Sequence, residues 1–455
     1  MALNINDIKK VYFIGIGGIG MSAIARYFNQ RGISVSGYDK TPTALTHLLE
    51  SEGIHIHFDD NIEKAPQDAD LVVYTPAIPK DHSELKMYQN STTPLMKRSE
   101  VLGLISKDSF CIAVSGSHGK TTVSSMITHI LKDSGYDCSA FLGGISVNLN
   151  SNYTNGKNNV VVVEADEYDR SFHRLSPDIA VITAVDTDHL DIYGTKEKIE
   201  EAFVIFTDKI KNNGKVVANK EVQILEKVKQ TTITYHLDNH AANCYTIDYI
   251  IKDGAYEIRL NDIHNNEQTF TLNIAGYHNI ENALAAISVA QLLEISFDKI
   301  AHALASFKGI KRRFEYIYKS EYCIYIDDYA HHPQEIDVFL GSLKEMYPTK
   351  KITAIFQPHL FSRTNDLQVD FAKSLSQIDT LYLLDIYPAR EKPMEGVTSQ
   401  LILDKVTIAN KMILSKEEVL QKIKSHPTDI IVTIGAGDID TMIPKIKTIL
   451  EAKHH

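Results

Sequence analysis

The run Gly116-Ser117-His118-Gly119-Lys120-Thr121-Thr122 has the residue types and spacing of a phosphate-binding loop. Between a strand and a helix, G-x-x-G-K-T offers backbone N–H groups to phosphate, a lysine to the β/γ oxygens and a threonine hydroxyl to Mg2+. The usual spacing puts a further glycine at position 114; this chain has Val114, so the loop is a shortened variant. The bland counterpart is a glycine turn with Lys120 solvated. The strand–loop–helix setting favours ATP.

Two acidic runs follow later apolar stretches: Glu164-Ala165-Asp166-Glu167-Tyr168-Asp169 after 160–163, and Asp186-Thr187-Asp188-His189-Leu190-Asp191 after 179–185. In open α/β sheets, ligands sit at the carboxyl ends of strands. Glu164 is a natural oxygen ligand for a hard cation, and His189 is acceptable at one position. Each run alone reads equally well as solvated loop acids. Both beside a phosphate loop point to a reaction centre.

Gly15, Gly17, Gly18 and Gly20, with Asp39 closing the next apolar run, fit G-x-G-x-x-G plus a distal acid. Three readings compete: NAD, another nucleotide diphosphate, and tight packing with no ligand. A second nucleotide loop at Lys120 favours a substrate that itself carries a diphosphate. Asn279 and Asn282, in the stretch Gly276-Tyr277-His278-Asn279-Ile280-Glu281-Asn282, either cap a helix or hydrogen-bond an adenine edge. Arg312-Arg313 is surface charge or an ATP clamp. Asp327, Asp328, His331 and His332 follow one apolar run, and His359 and Arg363 follow another. Acids, imidazoles and a guanidinium at neighbouring strand ends suit a small anionic co-substrate.

The elements that must position these groups are short apolar runs alternating with helical patterns. Strands are expected at 11–14, 33–38, 71–74, 111–114, 160–163, 179–185, 323–326, 352–356, 380–384 and 430–434, with helices at 21–30, 123–133 and from His278 to about Leu293. Between about 214 and 273 the texture turns polar and alternating, as expected of antiparallel strands. The 455 residues allow three domains at about 150 residues each. Boundaries are expected at 1–107, 108–309 and 310–455. The fold class is α/β, in three consecutive α/β domains.

Apolar residues make up 44% and charged residues 23%, as in globular chains. With 58 acidic against 47 basic residues and a net charge of -11, a surface built for nucleic acid is not expected. Cys111, Cys138, Cys244 and Cys323 have no metal or redox spacing and read as reduced, buried thiols. The first residues lack a secretory pattern, and no run reaches the about 18 apolar residues of a membrane helix. A cytoplasmic protein is expected, with no nucleic-acid or membrane partner.

Taken in order, GIGGIGMS at 15–22, GSHGKTT at 116–122, EADEYD at 164–169, DHLDIYG from Asp188, HNIEN from His278, KRRFE from Lys311, DDYAHHP from Asp327 and QPHLFSRT from Gln357 cover nearly the whole chain. The set resembles the Mur ligases of peptidoglycan synthesis, and within them the branch that adds L-alanine. The resemblance implies a Rossmann-like first domain for UDP-N-acetylmuramate, a P-loop central domain for MgATP and a Rossmann-like last domain for L-alanine. ATP and Mg2+ are the implied cofactors, and the chain is expected to act as a monomer or homodimer. On this reading Gly15, Gly17, Gly18, Gly20, Met21, Ser22 and Asp39 face the UDP-sugar and not NAD. Gly116, Ser117, His118, Gly119, Lys120, Thr121, Thr122, Asn279, Asn282, Arg313 and Asp328 serve ATP. Thr121, Glu164 and His189 serve the metal, His331, His332, His359 and Arg363 the amino acid, and Lys120, Glu164, His189 and Arg363 catalysis.

Two positions depart from the family pattern. Val204 stands where some members carry a carbamylated lysine, in keeping with the alanine-adding branch. Leu360 stands where some alanine-adding members carry Arg, which shifts the amino-acid carboxylate onto Arg363. Three alternatives stay open: a related recycling ligase that adds a murein tripeptide, a non-catalytic nucleotide-binding protein, and a nicotinamide oxidoreductase.

Overall fold

Short apolar runs such as 160–163 become parallel strands because helices cover both faces, so every residue of such a strand faces a core. In the computed structural model, residues 5–186, 190–252, 254–389, 391–426 and 428–453 are described. The chain forms three sheets, with helices between many of their strands, which is the expected α/β class.

The first sheet holds β1 (Lys10–Ile14), β2 (Ser34–Tyr38), β3 (His55–His57), β4 (Leu71–Tyr74) and β5 (Leu95–Lys97), in the order β3-β2-β1-β4-β5. All its pairings are parallel. Helices α1 (Ile19–Gln30), α2 (Ala44–Ser51), α3 (Ser83–Gln89) and α4 (Arg98–Asp108) alternate with these strands. The order reverses between β1 and β4, and the glycine turn after β1 opens at that switch point, where such sheets bind ligands.

The second sheet holds β6 (Phe110–Ser115), β7 (Ser139–Ser146), β8 (Ser151–Thr154), β9 (Val160–Glu164), β10 (Ile179–Ile182), β11 (Lys215–Asn219), β12 (Thr231–His236), β13 (Cys244–Lys252), β14 (Ala255–Asn261) and β15 (Glu267–Leu272). Its order is β15-β14-β13-β12-β11-β10-β6-β9-β7-β8. Here the expectation of antiparallel strands from 214 needs correction. β10, β11, β12 and the start of β13 pair in parallel, so the main sheet continues through that region. The alternating texture belongs to β13 and β14 further along, whereas β11 is an almost wholly buried run in the middle of the ten-stranded sheet. Associated helices are α5 (Lys120–Asp133), α6 (Leu190–Tyr193), α7 (Lys196–Thr207), α8 (Tyr277–Leu292) and α9 (Phe297–Ser306).

Chain packing divides the molecule into two compact units: Met1–Tyr249, Ile258–Leu272 and Ile280–Phe307 in one, and Ile250–Glu257, Asn273–Asn279 and Lys308–His455 in the other. Inside the first unit, α1 packs on β7 and β8. The Tyr27 ring meets Phe141 at a tilt and Tyr153 edge-on, and one apolar core runs through both sheets. Arg26 is buried there at 2% exposure, forking onto Glu52 and donating to Asn152 Oδ1 at 2.6 Å. A buried guanidinium needs that full set of acceptors. The second unit holds β16 (Glu315–Lys319), β17 (Ile324–Asp328), β18 (Ile352–Phe356), β19 (Thr380–Leu383), β20 (Asn410–Ile413) and β21 (Ile430–Ile434), ordered β16-β17-β21-β18-β19-β20. Helix α10 (Pro333–Met346) follows β17, and α11 (Phe361–Leu375) follows β18. All four cysteines are buried free thiols. Among the described residues no helix is long and apolar enough to cross a membrane.

Candidate active site

The phosphate loop joins β6 to α5, as its motif requires. Gly116 sits at φ +137°, and a Cβ there would stand 2.1 Å from Thr183 Oγ1. Gly119 caps α5 at φ +81°, with the amide oxygen of Asn282 where its Cβ would be. Only glycine fits either place. The loop is tied to the end of β10: Ser117 N donates to Ala184 O at 3.0 Å, Asp186 N to Ser117 Oγ at 2.8 Å, and Thr183 Oγ1 to His118 O. His118 is exposed and lies 3.7 Å from Asp186.

Glu164 ends β9, opposite Val114 of β6, so its carboxylate reaches the first turn of α5. There it accepts from Thr121 Oγ1 at 3.1 Å and from Gly143 N at 2.9 Å. Thr121 is buried at 4%. A carboxylate and a hydroxyl are the hard oxygen donors Mg2+ takes from protein, while substrate phosphates and water complete its shell. Among the described residues no group of three or more His, Cys, Asp or Glu could hold a metal by itself. His189, the other expected ligand, lies outside the described residues.

Glu167 escaped the sequence reading. It is buried at 3%, and Lys120 Nζ donates to its Oε1 at 2.8 Å and to Gly116 O at 2.6 Å. The lysine meant for phosphate therefore already faces a carboxylate. Beside the loop, a cavity of about 400 Å3 is lined by Thr183, Asp186, Lys196, Asn219, Gln223 and Glu281, a size suited to a small-molecule ligand.

At the other sheet, Gly15 adopts φ +89°, and both Gly15 N and Ile16 N donate to Tyr38 O. Asp39 Oδ2 accepts Gly17 N at 2.7 Å, so this acid braces the turn. Met21 and Ser22, also expected to face the UDP-sugar, lie in the first turn of α1. Both side chains are buried, and Ser22 Oγ donates to Ile19 O and takes the Asn152 amide at 3.1 Å. The Ser22–Asn152 bond ties α1 to β8.

The second unit also sorts its candidates. Asp328 accepts Phe314 N at 2.7 Å and Ala330 N at 2.8 Å, and burial pushes its carboxyl up to about 7 against those bonds. Arg313 is exposed, whereas its neighbour Arg312 bonds Asp327 at 3.1 Å and Gly435 O at 2.6 Å. Arg312 and Asp328 thus hold the 310–314 segment to β17. Asn279 is buried, its amide donating to Ala275 O at 2.6 Å. His332 caps α10 together with Glu335.

His359 is different. Its ring lies 6.1 Å from that of His331, and burial, then the Arg363 charge, hold its pKa below the usual imidazole range. Gln357 Oε1, His359 Nδ1 and Arg363 Nη1 are buried without a hydrogen-bond partner among the described residues. Unsatisfied buried groups just beyond the end of one strand mark a place for a polar ligand. Between them, Leu360 is strained at φ +73° and fixed by donating to Tyr387 O at 3.0 Å.

Three family models match the chain in order: Mur ligase family, catalytic domain, over 10–109; Mur ligase middle domain over 114–290; and Mur ligase, glutamate ligase domain, over 312–437. UDP-N-acetylmuramate--L-alanine ligase of Flavobacterium johnsoniae is 50% identical over 452 residues, covering 98% of this chain and 99% of that one. The protein of that name from Porphyromonas gingivalis strain ATCC 33277 is 45% identical over 453 residues, covering 98% and 99%. Among solved structures, the UDP-N-acetylmuramate-alanine ligase of Thermotoga maritima superposes with a TM-score of 0.82 at 27% identity, covering 98% of this chain and 99% of that one. With identity at this level over its full length, and the phosphate loop, braced glycine turn and β9 carboxylate all in place, the chain belongs to the Mur ligase family.

Proposed function

We propose that this protein joins L-alanine to the lactyl carboxylate of UDP-N-acetylmuramate at the expense of ATP, in the cytoplasm. The observation that carries the reading is the closure of the phosphate loop on Glu164 and Glu167, in a chain so similar to ligases named for that reaction. The functional division is 1–107 for the nucleotide sugar, 108–309 for ATP and 310–455 for the amino acid.

The Gly116–Thr122 backbone and the start of α5 hold the ATP phosphates. Lys120 exchanges Glu167 for phosphate and offsets charge as the terminal phosphoryl group moves to the lactyl oxygen. Phosphorylation turns a poor electrophile into an acyl phosphate with a good leaving group. Thr121 and Glu164, with His189, would hold Mg2+, which when bound would supply positive charge to the phosphates. Arg363 binds the L-alanine carboxylate and His359 orients beside it, which leaves the neutral amine to attack the acyl carbon and expel phosphate. The protein acts as a monomer or homodimer.

The test is phosphate release from ATP with UDP-N-acetylmuramate across a panel of amino acids, with a murein tripeptide as one arm. L-alanine is expected to give the highest kcat/KM, and Lys120→Ala to abolish L-alanine-dependent release. Preference for the tripeptide, or near-normal turnover by Lys120→Ala, overturns the reading.

A further inference from the structure

Arg98 is the first residue of α4, and its side chain is 28% exposed. Its ion-pair partner Asp166 stands 3.9 Å away, beyond hydrogen-bond range, and the guanidinium donates to no described residue. Five N–H donors are therefore available in a fixed fork. The position is nevertheless built. A Cβ at Gly20 would lie 2.6 Å from Nη1 and 3.0 Å from Cδ, so the missing side chain at Gly20 is what admits the guanidinium to the first turn of α1.

The same guanidinium lines a cavity of about 190 Å3. Glu164 and Asp166 are its other charged walls, and Ile24, Leu102 and Phe141 are apolar ones. Glu164 is also the carboxylate that meets Thr121 of the phosphate loop. The cavity thus runs from the start of α1 to the phosphoryl-transfer end of the site.

We propose that Arg98 is a catalytic residue that grips the acceptor carboxylate of the nucleotide sugar. The inference rests on the ligase reading above. A lactyl group carries a carboxylate for the fork and a methyl for the apolar wall. A diphosphate has no use for that wall. Bidentate guanidinium–carboxylate pairing fixes direction as well as position. It also offsets the repulsion between an anionic nucleophile and an anionic phosphate. One carboxylate oxygen, through the lone pair that the fork leaves open, forms its bond to the terminal phosphorus as the bridging O–P bond breaks, and ADP leaves with the electron pair. When the amine attacks, Arg98 faces the oxygen that becomes negative. The C–O bond to phosphate then breaks, phosphate departs, and the nitrogen loses its proton to solvent.

The experiment compares the wild type with Arg98→Ala and Arg98→Lys, measuring binding of UDP-N-acetylmuramate and of UDP-N-acetylglucosamine, which lacks the lactyl group. The wild type is expected to favour the carboxylate-bearing sugar by about 10- to 100-fold, the worth of a charged hydrogen-bonded pair. Arg98→Ala should erase most of that preference while holding UDP-N-acetylglucosamine within about 3-fold of wild type, and should lower kcat as well. Arg98→Lys, which keeps charge but not the fork, should fall between. Equal loss of affinity for both sugars, or an undiminished preference in both variants, overturns the proposal. L-alanine-dependent ADP release by the wild type keeps the two readings apart. With ligation intact, such a result removes Arg98 alone; without ligation, the underlying reading falls too.

Discussion

Gly143→Ala tests the geometry of the phosphoryl-transfer site by displacing Glu164 without replacing it. The backbone at Gly143 is outside the left-handed region and the position is exposed, so alanine fits the chain itself. Its Cβ, however, would stand 2.3 and 2.4 Å from the two carboxylate oxygens of Glu164. To restore ordinary contact at 3.4 Å, the carboxylate must retreat by about 1 Å. That takes the bonds from Gly143 N, now 2.9 Å, and Thr121 Oγ1, now 3.1 Å, out of range. Because the yielding atoms end a flexible side chain that water can reach, the stability cost is about 1 kcal/mol, or a few degrees in Tm. Function suffers more: a 1 Å misplacement or a lost supporting contact at a metal ligand costs about 10- to 100-fold. The assay is L-alanine-dependent phosphate release as a function of Mg2+, with thermal unfolding as the control. kcat/KM should fall by about 10- to 100-fold, half-saturation should move to higher Mg2+, and adding Glu164→Asp, one methylene shorter, should restore part of the loss. Activity within about 2-fold of wild type and an unchanged Mg2+ dependence would refute the reasoning.

Three further outcomes follow from the same geometry. Glu167→Gln removes the charge facing Lys120 at 2.8 Å, so the ligand-free protein should melt a few degrees lower while ATP raises its Tm by more than in wild type; an unchanged ATP increment would count against the exchange of Glu167 for phosphate. Asp39→Ala frees the glycine turn braced at 2.7 Å and should raise KM for the nucleotide sugar about 10-fold with KM for ATP unaltered, checked by steady-state kinetics on each substrate. Glu84 is fully buried and accepts from Tyr12 Oη, and burial pushes its carboxyl up to about 7. A raised carboxyl favours the folded state when protonated, so its contribution is full below the unfolded value of about 4.3 and is lost as pH rises toward about 7. Relative to Glu84→Gln, wild type should lose about 2–3 kcal/mol between about pH 5 and about pH 8 in urea unfolding.

The phosphate loop was legible because its chemistry is local: a strand end, two glycines and a helix start lie within one short run, and backbone conformation alone builds the cradle. The α/β class was legible for a related reason, since doubly covered strands must be continuous apolar runs. The 214–236 region was not, because the alternating texture of β13 and β14 was extended back over β11 and β12, which pair in parallel.

Tertiary structure decided which member of each polar cluster does what. In EADEYD, pairing of β9 with β6 aims Glu164 at Thr121, and the turn beyond it folds Glu167 back to Lys120, 47 positions away. Of Arg312 and Arg313, only the first finds Asp327. Met21 and Ser22 were drawn into the interface of α1 with β8. Arg98, an ordinary helix charge in the sequence, gains meaning only against Gly20 and the cavity beside Glu164. Sequence alone determined the loops and the strand pattern, because those depend on neighbours along the chain. The partners of each charge depend on what long-range packing buries beside it, and that is a property of the folded molecule.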